Sequence, residues 1–172
     1  RTQAGALTLS RNPQNGLLTG TALGSVTDTL SYNSFGEPAS YSAAYNGGTI
    51  YAAQYTRDKL GRITQKTETT GGSTDIYLYT YDLAGRLTEV KKNGITAASY
   101  TYDGNGNRLS YTGPGGAVNG TYDNQDRLTQ FGGAAYSYTA GGDLQSKNAG
   151  GQTTSYQYDA LGNLTAVTLP GS

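Results

Sequence analysis

The chain has 172 residues, and its 12 basic and 12 acidic side chains give a formal net charge of zero. A neutral chain lacks the surface that attracts nucleic acids or anionic membranes, and no apolar run is long enough to insert across a bilayer. Because the sequence contains neither Cys nor His, it excludes disulfides, thiol nucleophiles, Cys/His zinc sites and Ser-His-Asp triads.

The composition indicates a folded chain whose packing is partly polar. Hydrophobic residues make up 35% of the chain and the mean hydropathy is −0.55, values at which disorder competes with folding. Sixteen tyrosines stand against two phenylalanines and no tryptophan. Because Tyr combines an apolar ring with a polar tip, the sequence predicts packing in which ring hydroxyls find hydrogen-bond partners.

A short phrase recurs about every 20 residues along the chain, and its fullest copy is Tyr79–Leu87. Each copy contains one turn residue, here called the marker. In chain order the markers are Gly16, Gly36, Gly61, Gly85, Gly106, Asp126, Gly142 and Gly162. Copies within 1–54 are degenerate, and those within 55–169 are clear. Since a fixed period is typical of repeat architectures, we expect residues 1–172 to form a single repeat domain of about eight units.

Each unit is predicted to be one β-hairpin. Residues 77–81 alternate Tyr with Leu or Thr, which is the period-2 pattern of a strand. Asp82 and Gly85 fit the first and last positions of a type I turn, and 86–90 returns as the second strand. Gly-rich stretches, for example at 70–73 and 149–151, reverse the chain at the other edge. The predicted fold class is therefore all-β: tandem β-hairpins in a curved antiparallel sheet of about 16 strands.

The repeated polar residues are predicted to be structural. Two interpretations of the repeated Asp are open, as glycosidase carboxylates or as turn caps, and one Asp per hairpin favours caps. Each Arg, including Arg62, Arg108 and Arg127, is expected to form a surface ion pair with its own turn Asp. The positions expected to carry the fold are Tyr81, Asp82, Gly85, Arg86, Tyr102, Asp103, Gly106, Tyr122, Asp123, Tyr158, Asp159 and Gly162.

No residue is assigned to a catalytic, metal or cofactor site. Asp103–Asn107 resembles the start of an EF-hand calcium loop, but Arg108 and Pro114 stand where that loop needs Gly and Glu. We therefore expect the protein not to be an enzyme and to need no cofactor.

These motifs resemble the YD-repeat (Rhs-repeat) family, whose signature has the form of Tyr81–Leu87, and the variant Asp103–Leu109 is equally typical. The family includes bacterial Rhs and Tc-type toxin components, wall-associated proteins and teneurins. The resemblance implies a long β-sheet that spirals into a hollow shell, which in bacterial members encloses a C-terminal toxin domain. The self-cleaving region that ends the repeats of those bacterial members has no counterpart here, so no catalytic role is carried over.

The function expected from the repeats is that of a structural scaffold. We expect a segment of a shell or extracellular tubular assembly, secreted or on a cell surface and bacterial. Its partners would be further YD-repeat chain, from the same parent or from identical copies end to end, with toxin cargo in the parent. A chain that starts at Arg1 without Met is expected to be a processed product or fragment. The alternative is a carbohydrate-binding surface or adhesin module that presents its tyrosines to glycans.

Overall fold

The computed structural model describes residues 3–171, and every helix or strand assigned in them is a β-strand. This part of the chain contains seventeen strands, one more than expected, and each is antiparallel to its neighbours in sequence. No described residue belongs to a helix that could cross a membrane. The prediction of an all-β repeat of tandem hairpins is confirmed.

The chain divides into two units, the first ending at Ala97 and the second beginning at Ala98. The first unit holds β1 (Gln3–Ala4), β2 (Leu7–Arg11), β3 (Leu18–Leu23), β4 (Val26–Tyr32), β5 (Pro38–Tyr45), β6 (Gly48–Arg57), β7 (Ile63–Thr70), β8 (Ser73–Tyr81), β9 (Leu87–Lys92) and the start of β10 (Ile95–Tyr102). The second holds the rest of β10, β11 (Arg108–Gly113), β12 (Gly116–Tyr122), β13 (Leu128–Phe131), β14 (Ala134–Tyr138), β15 (Leu144–Ala149), β16 (Gln152–Tyr158) and β17 (Leu164–Thr168). The division falls inside a strand and not in a linker.

The marker turns have the geometry of a type I turn followed by a bulge. At the copy between β8 and β9, the Gly85 N–H donates to the Asp82 carbonyl over 3.0 Å, and the Asp82 N–H donates to the Arg86 carbonyl over 3.0 Å. Gly85 has φ +82°, a conformation that L side chains rarely adopt. The strand register then shifts between Thr80 and Tyr81, which places Tyr81 opposite Leu87.

At the other edge, tight loops return the chain. Gly71 and Gly72 join β7 to β8 with φ angles of +56° and +86°, and Asn46 and Gly47 join β5 to β6 with +49° and +78°. Two consecutive positive φ angles match the type I′ turn, whose twist suits a two-residue hairpin loop.

The two faces differ in burial along several strands, of which β8 is an example. In β8, the odd-numbered residues from 75 to 81, which are one Asp and three Tyr, are half-buried. The even-numbered residues from 74 to 80 are exposed. The half-buried side is here called the tyrosine face. On this face Lys66 and Lys92 lie across the strands from Tyr77, with their Nζ atoms 4.4 and 5.6 Å from its ring centroid.

The described residues contain almost no closed core. Ala53 and Ala98, with 1% and 9% exposure, are the only buried apolar side chains among them, and no large side chain is fully buried. Within each unit, strands contact their neighbours in sequence. Stability must therefore come from contacts between adjacent strands and hairpins, as in other repeat architectures.

The close contact between β3 and β4 at Gly20 can be tested by substitution. A Cβ added at Gly20 would lie 2.5 Å from the backbone oxygen of Asp28 in β4, so Gly20→Ala must force the strands apart. We expect a loss of about 1–3 kcal/mol in the free energy of unfolding, measured by urea denaturation. Gly104→Ala, which has no atom within 4 Å of the added Cβ, is the matched control. Equal losses in the two variants would contradict the packing argument.

Candidate functional site

The candidate site is the repeated contact between one marker turn and the next hairpin, here called a junction. Its first part is the turn carboxylate. Asp58 Oδ1 accepts the backbone N–H groups of Leu60 and Arg62 over 2.9 and 3.0 Å, and its Oδ2 accepts Arg62 Nε over 2.7 Å. The same Asp–Arg arrangement recurs at Asp82–Arg86 and Asp123–Arg127. Each carboxylate thus closes its own turn and fixes its arginine.

Hydrogen bonds lower the pKa of these carboxyl groups. For Asp82 the largest cause is the backbone N–H of Arg86, followed by its side chain. For Asp58 and Asp123, desolvation raises the pKa, but hydrogen bonds from the turn backbone and the turn arginine outweigh it and the net shift is downward. Because these interactions favour the ionised form in the folded protein, they stabilise the fold at neutral pH.

Other turns use different side chains for the same purpose. Asn107 Nδ2 donates to Asp103 Oδ2 over 2.9 Å, and Asn163 Nδ2 donates to Asp159 Oδ2 over 2.9 Å. These side-chain bonds are the largest cause of the lowered pKa of both carboxyl groups. The expected pairing of Arg108 with its turn Asp is replaced, because the extra Asn107 takes the arginine's position and Arg108 lies 4.9 Å over the Phe131 ring.

The second part of the junction is a hydrogen bond between hairpins. The Tyr81 hydroxyl, four residues before its marker, donates over 2.7 Å to the Ile63 carbonyl, two residues after the preceding marker. The same spacing gives the bonds Tyr32–Leu18, Tyr122–Arg108 and Tyr138–Leu128, over 2.8, 3.1 and 2.9 Å. A phenylalanine could fill the same space but could not donate this bond, which explains the preference for Tyr.

The third part is a cation–π contact that links the other two. Arg62, held by Asp58, lies 4.8 Å over the Tyr81 ring of the next hairpin. Arg127, held by Asp123, lies 5.1 Å over the Tyr138 ring in the same way. The turn arginine therefore contacts both its own carboxylate and the next tyrosine, so a complete junction is a chain of Asp, Arg, Tyr and backbone carbonyl.

One junction replaces both partners together. Arg57 stands four residues before Gly61, where other copies have Tyr, and its Nη1 donates over 2.7 Å to the Pro38 carbonyl, two residues after Gly36. Glu37 occupies the position of the turn arginine, and its Oε2 lies 3.6 Å from Arg57 Nε. An ion pair thus substitutes for the cation–π contact. Sequence reasoning missed this exchange, although counting four residues back from Gly61 identifies Arg57.

Asp126 is a second residue whose role sequence reasoning missed. It replaces the marker glycine with a positive φ of 61°, and its Oδ1 accepts the side-chain amides of Asn105 and Asn107 over 2.9 and 2.7 Å. The carboxylate therefore joins two successive turns, which a glycine could not do. The tolerance of Asp for left-handed backbone is the signal that permits this substitution.

The predicted positions are distributed along the sheet and do not converge on one pocket. Tyr81 and Tyr122 donate in junctions, Asp82 and Asp123 pair with their arginines, and Gly85, Gly106 and Gly162 have positive φ. In the strand register Tyr102 lies opposite Arg108, and Tyr158 lies opposite Leu164. Within 3–171, no group of three acidic side chains is placed to hold a metal ion.

Comparison with known families identifies this repeat. The model of the teneurin YD-shell matches residues 2–172. The chain belongs to the teneurin YD-shell family. The resemblance to YD repeats is therefore confirmed. A comparison with curated protein sequences gives no match.

Solved structures with the same fold come from complexes of TcdB2 and TccC3. The complex with Cdc42 matches with a TM-score of 0.70 and 16% identity, over 95% of this chain and 10% of the other. The TcdB2–TccC3 structure matches with a TM-score of 0.70 and 17% identity, over 95% and 11%. This YD-shell chain therefore spans about a tenth of the length of the chains it matches.

Tyr81→Phe tests the hydrogen bond of the junction. The change removes only the hydroxyl and leaves the Ile63 carbonyl without its side-chain donor, so we expect a loss of about 0.5–1.5 kcal/mol in the free energy of unfolding. Tyr45→Phe is the control, because Tyr45 is 55% exposed and belongs to no junction. Chemical denaturation of both variants measures the difference, and equal stabilities would rule out a contribution from the hydroxyl.

The lowered pKa values of the turn carboxyl groups predict acid sensitivity. A folded-state pKa below the unfolded value of about 3.9 gives stability that is present above this pH and lost as pH falls through the folded pKa. Asp82→Asn should therefore melt below the wild type at pH 7, and the gap should close in acid. Melting temperatures over a pH series test this, and a gap that stays constant down to about pH 2 would contradict the linkage.

Proposed function

We propose that this chain is a structural segment of a YD-shell and has no catalytic role. The observation that carries the proposal is the use of its polar repeat residues. Carboxylates, arginines and tyrosine hydroxyls are engaged in turns and junctions, as in Asp58–Arg62 and Tyr81–Ile63. Side chains that recur once per hairpin with the same partners hold a sheet together and do not form an active site.

Enclosure of a cargo by this segment requires more chain. Seventeen strands at about 4.8 Å per strand, closed into one ring, would give a diameter of about 26 Å between backbones. A folded domain of about 130 residues is about 36 Å across. We therefore propose that the repeats continue as one domain in a parent protein, whose complete shell holds the cargo, as the length of the matching chains also suggests.

The strand that would receive such a continuation is β17. All five of its residues are exposed, with Leu164 and Val167 at 53% and 46%. An unpaired strand edge is a template for a further strand. The partner is more YD-repeat chain, either from the same parent or from identical copies stacked end to end into a filament.

The sheet-forming, low-charge composition and the family suit a secreted or cell-surface protein, and we propose a bacterial source.

A glycan platform made of the repeat tyrosines is less well supported. Tyr32, Tyr81, Tyr122 and Tyr138 donate their hydroxyls to backbone carbonyls of the preceding hairpin. Two of these rings also lie against an arginine. The hydroxyls of these four tyrosines are therefore used to join neighbouring hairpins.

Light scattering over a dilution series tests the exposed edge. We expect the purified segment to form elongated assemblies at high concentration through its sheet edges. Val167→Lys should reduce this association, because a charge on an edge strand opposes strand addition. A monomer that stays unchanged with concentration in both proteins would exclude self-assembly and leave continuation of the repeats within a parent chain as the remaining form of the proposal.

A further inference from the structure

Two tyrosines of neighbouring strands meet on the tyrosine face of the first unit. Tyr41 in β5 and Tyr51 in β6 have ring centroids 6.0 Å apart, with ring planes inclined by 49°. In the strand register Tyr41 lies opposite Ala53, and Tyr51 lies opposite Ala43. Because each ring faces a small alanine across the strands, the two large side chains meet diagonally. Both tyrosines are half-buried, so part of each ring remains open to solvent.

A carboxylate accepts the hydroxyl of one of these rings. Tyr51 Oη donates over 2.8 Å to Glu68 Oε1 in β7, and Lys66 Nζ lies 3.0 Å from Glu68 Oε2. Glu68 lies opposite Ala53 in the register of β6 and β7, so it reaches Tyr51 diagonally past that small side chain. The hydrogen bond raises the pKa of the Tyr51 phenol and lowers the pKa of the Glu68 carboxyl. At neutral pH a protonated phenol therefore donates to an ionised carboxylate.

The pair does not take part in the junctions. No marker lies four residues after Tyr41 or Tyr51, and Tyr51 donates to a side chain, whereas the junction tyrosines donate to backbone carbonyls. A phenol loses its proton readily when it loses an electron, and a carboxylate already hydrogen-bonded to the hydroxyl can receive that proton directly. Ring contact and a proton acceptor are therefore both present at this place, and these are the two requirements for coupling tyrosines by oxidation.

We propose that Tyr41 and Tyr51 form a site of oxidative cross-linking, where hydrogen peroxide, acting through a haem peroxidase, joins the two rings as dityrosine. Each phenol gives one electron to the oxidant and releases one proton, which passes from Tyr51 Oη to Glu68 and from Tyr41 to solvent. The two phenoxyl radicals form one C–C bond between carbons ortho to the hydroxyls. The hydrogens on those carbons then move to the oxygens and restore both phenols. The two electrons and two protons reduce one hydrogen peroxide to two water molecules.

The product is a covalent link across the hairpin of β5 and β6, whose loop contains Asn46 and Gly47. The chain has no Cys, so a disulfide cannot supply such a link. A bond that closes a loop restricts the unfolded chain in the same way as a disulfide does, and the cross-linked protein should therefore melt at a higher temperature. The proposal does not depend on whether the segment belongs to a shell.

Oxidation of the dilute full chain with hydrogen peroxide and a haem peroxidase, followed by peptide mass spectrometry, tests the proposal. We expect dityrosine fluorescence and a monomer lighter by two hydrogen atoms, in which the peptides that contain Tyr41 and Tyr51 are joined. Tyr51→Phe should abolish this link. Tyr45→Phe is the matched control and should keep it, because Tyr45 is 55% exposed on the same strand but lies outside the pair. Links formed mainly through Tyr45, or no link between Tyr41 and Tyr51, would overturn the proposal.

Glu68→Gln tests the proton acceptor. The change keeps the size of the side chain but removes its charge, so we expect the initial rate of the link between Tyr41 and Tyr51 to fall about tenfold. The internal control is the pair Tyr100 and Tyr111 in the second unit. Its ring centroids lie 5.6 Å apart, and within residues 3–171 no carboxylate accepts a hydrogen bond from its hydroxyls.

Oxidation at this control pair should be slower than at Tyr41 and Tyr51 in the wild type and should not change in Glu68→Gln. Circular dichroism and the melting temperature before oxidation show whether the variant is folded. An unchanged rate at Tyr41 and Tyr51 in a folded Glu68→Gln, or an equal fall at both pairs, would overturn the role of Glu68. The peptide map of the wild type decides the cross-link itself without any substitution.

Discussion

One hydrogen bond joins successive hairpins, and the arrangement of the sheet depends on it. At five of the markers, a side chain four residues before the marker donates to the backbone carbonyl two residues after the preceding marker, as Tyr81 does to Ile63. Because residues 3–171 form almost no closed core, this bond and the strand ladder hold neighbouring hairpins together. It also explains the composition, because Tyr supplies apolar contact area and a donor from the same side chain.

The junctions tolerate substitution when the donor and the contact across the turns are both retained. Arg57 and Glu37 supply a donor and an ion pair in place of the usual phenol and arginine. Asp126 replaces the glycine of its turn, and its carboxylate accepts hydrogen bonds from Asn105 and Asn107. Copies that look degenerate in sequence thus keep the same connection between hairpins. Such exchanges change the side chains between neighbouring turns while the hairpins stay joined.

The hairpins could be predicted from the sequence because their signals are local. Alternation in β8 and the Asp82–Gly85 turn depend on residues within one unit. The junctions could not be predicted from the sequence, since they depend on which atoms of a neighbouring hairpin come within reach after the bulge. The pairing expected for Arg108 was wrong for this reason, because Asn107 shifts the arginine by one position. The roles of Asp126 and Arg57 likewise appear only when successive turns lie side by side.

Amide hydrogen exchange in Tyr81→Phe and the wild type tests the central claim most directly. If each junction joins only two neighbouring hairpins, loss of the Tyr81 hydroxyl should accelerate exchange in β7, β8 and β9 and leave β2 to β4 unchanged. The opposite result, a uniform acceleration across residues 3–97, would mean that a shared core and not the junctions holds the hairpins together, and would contradict the account.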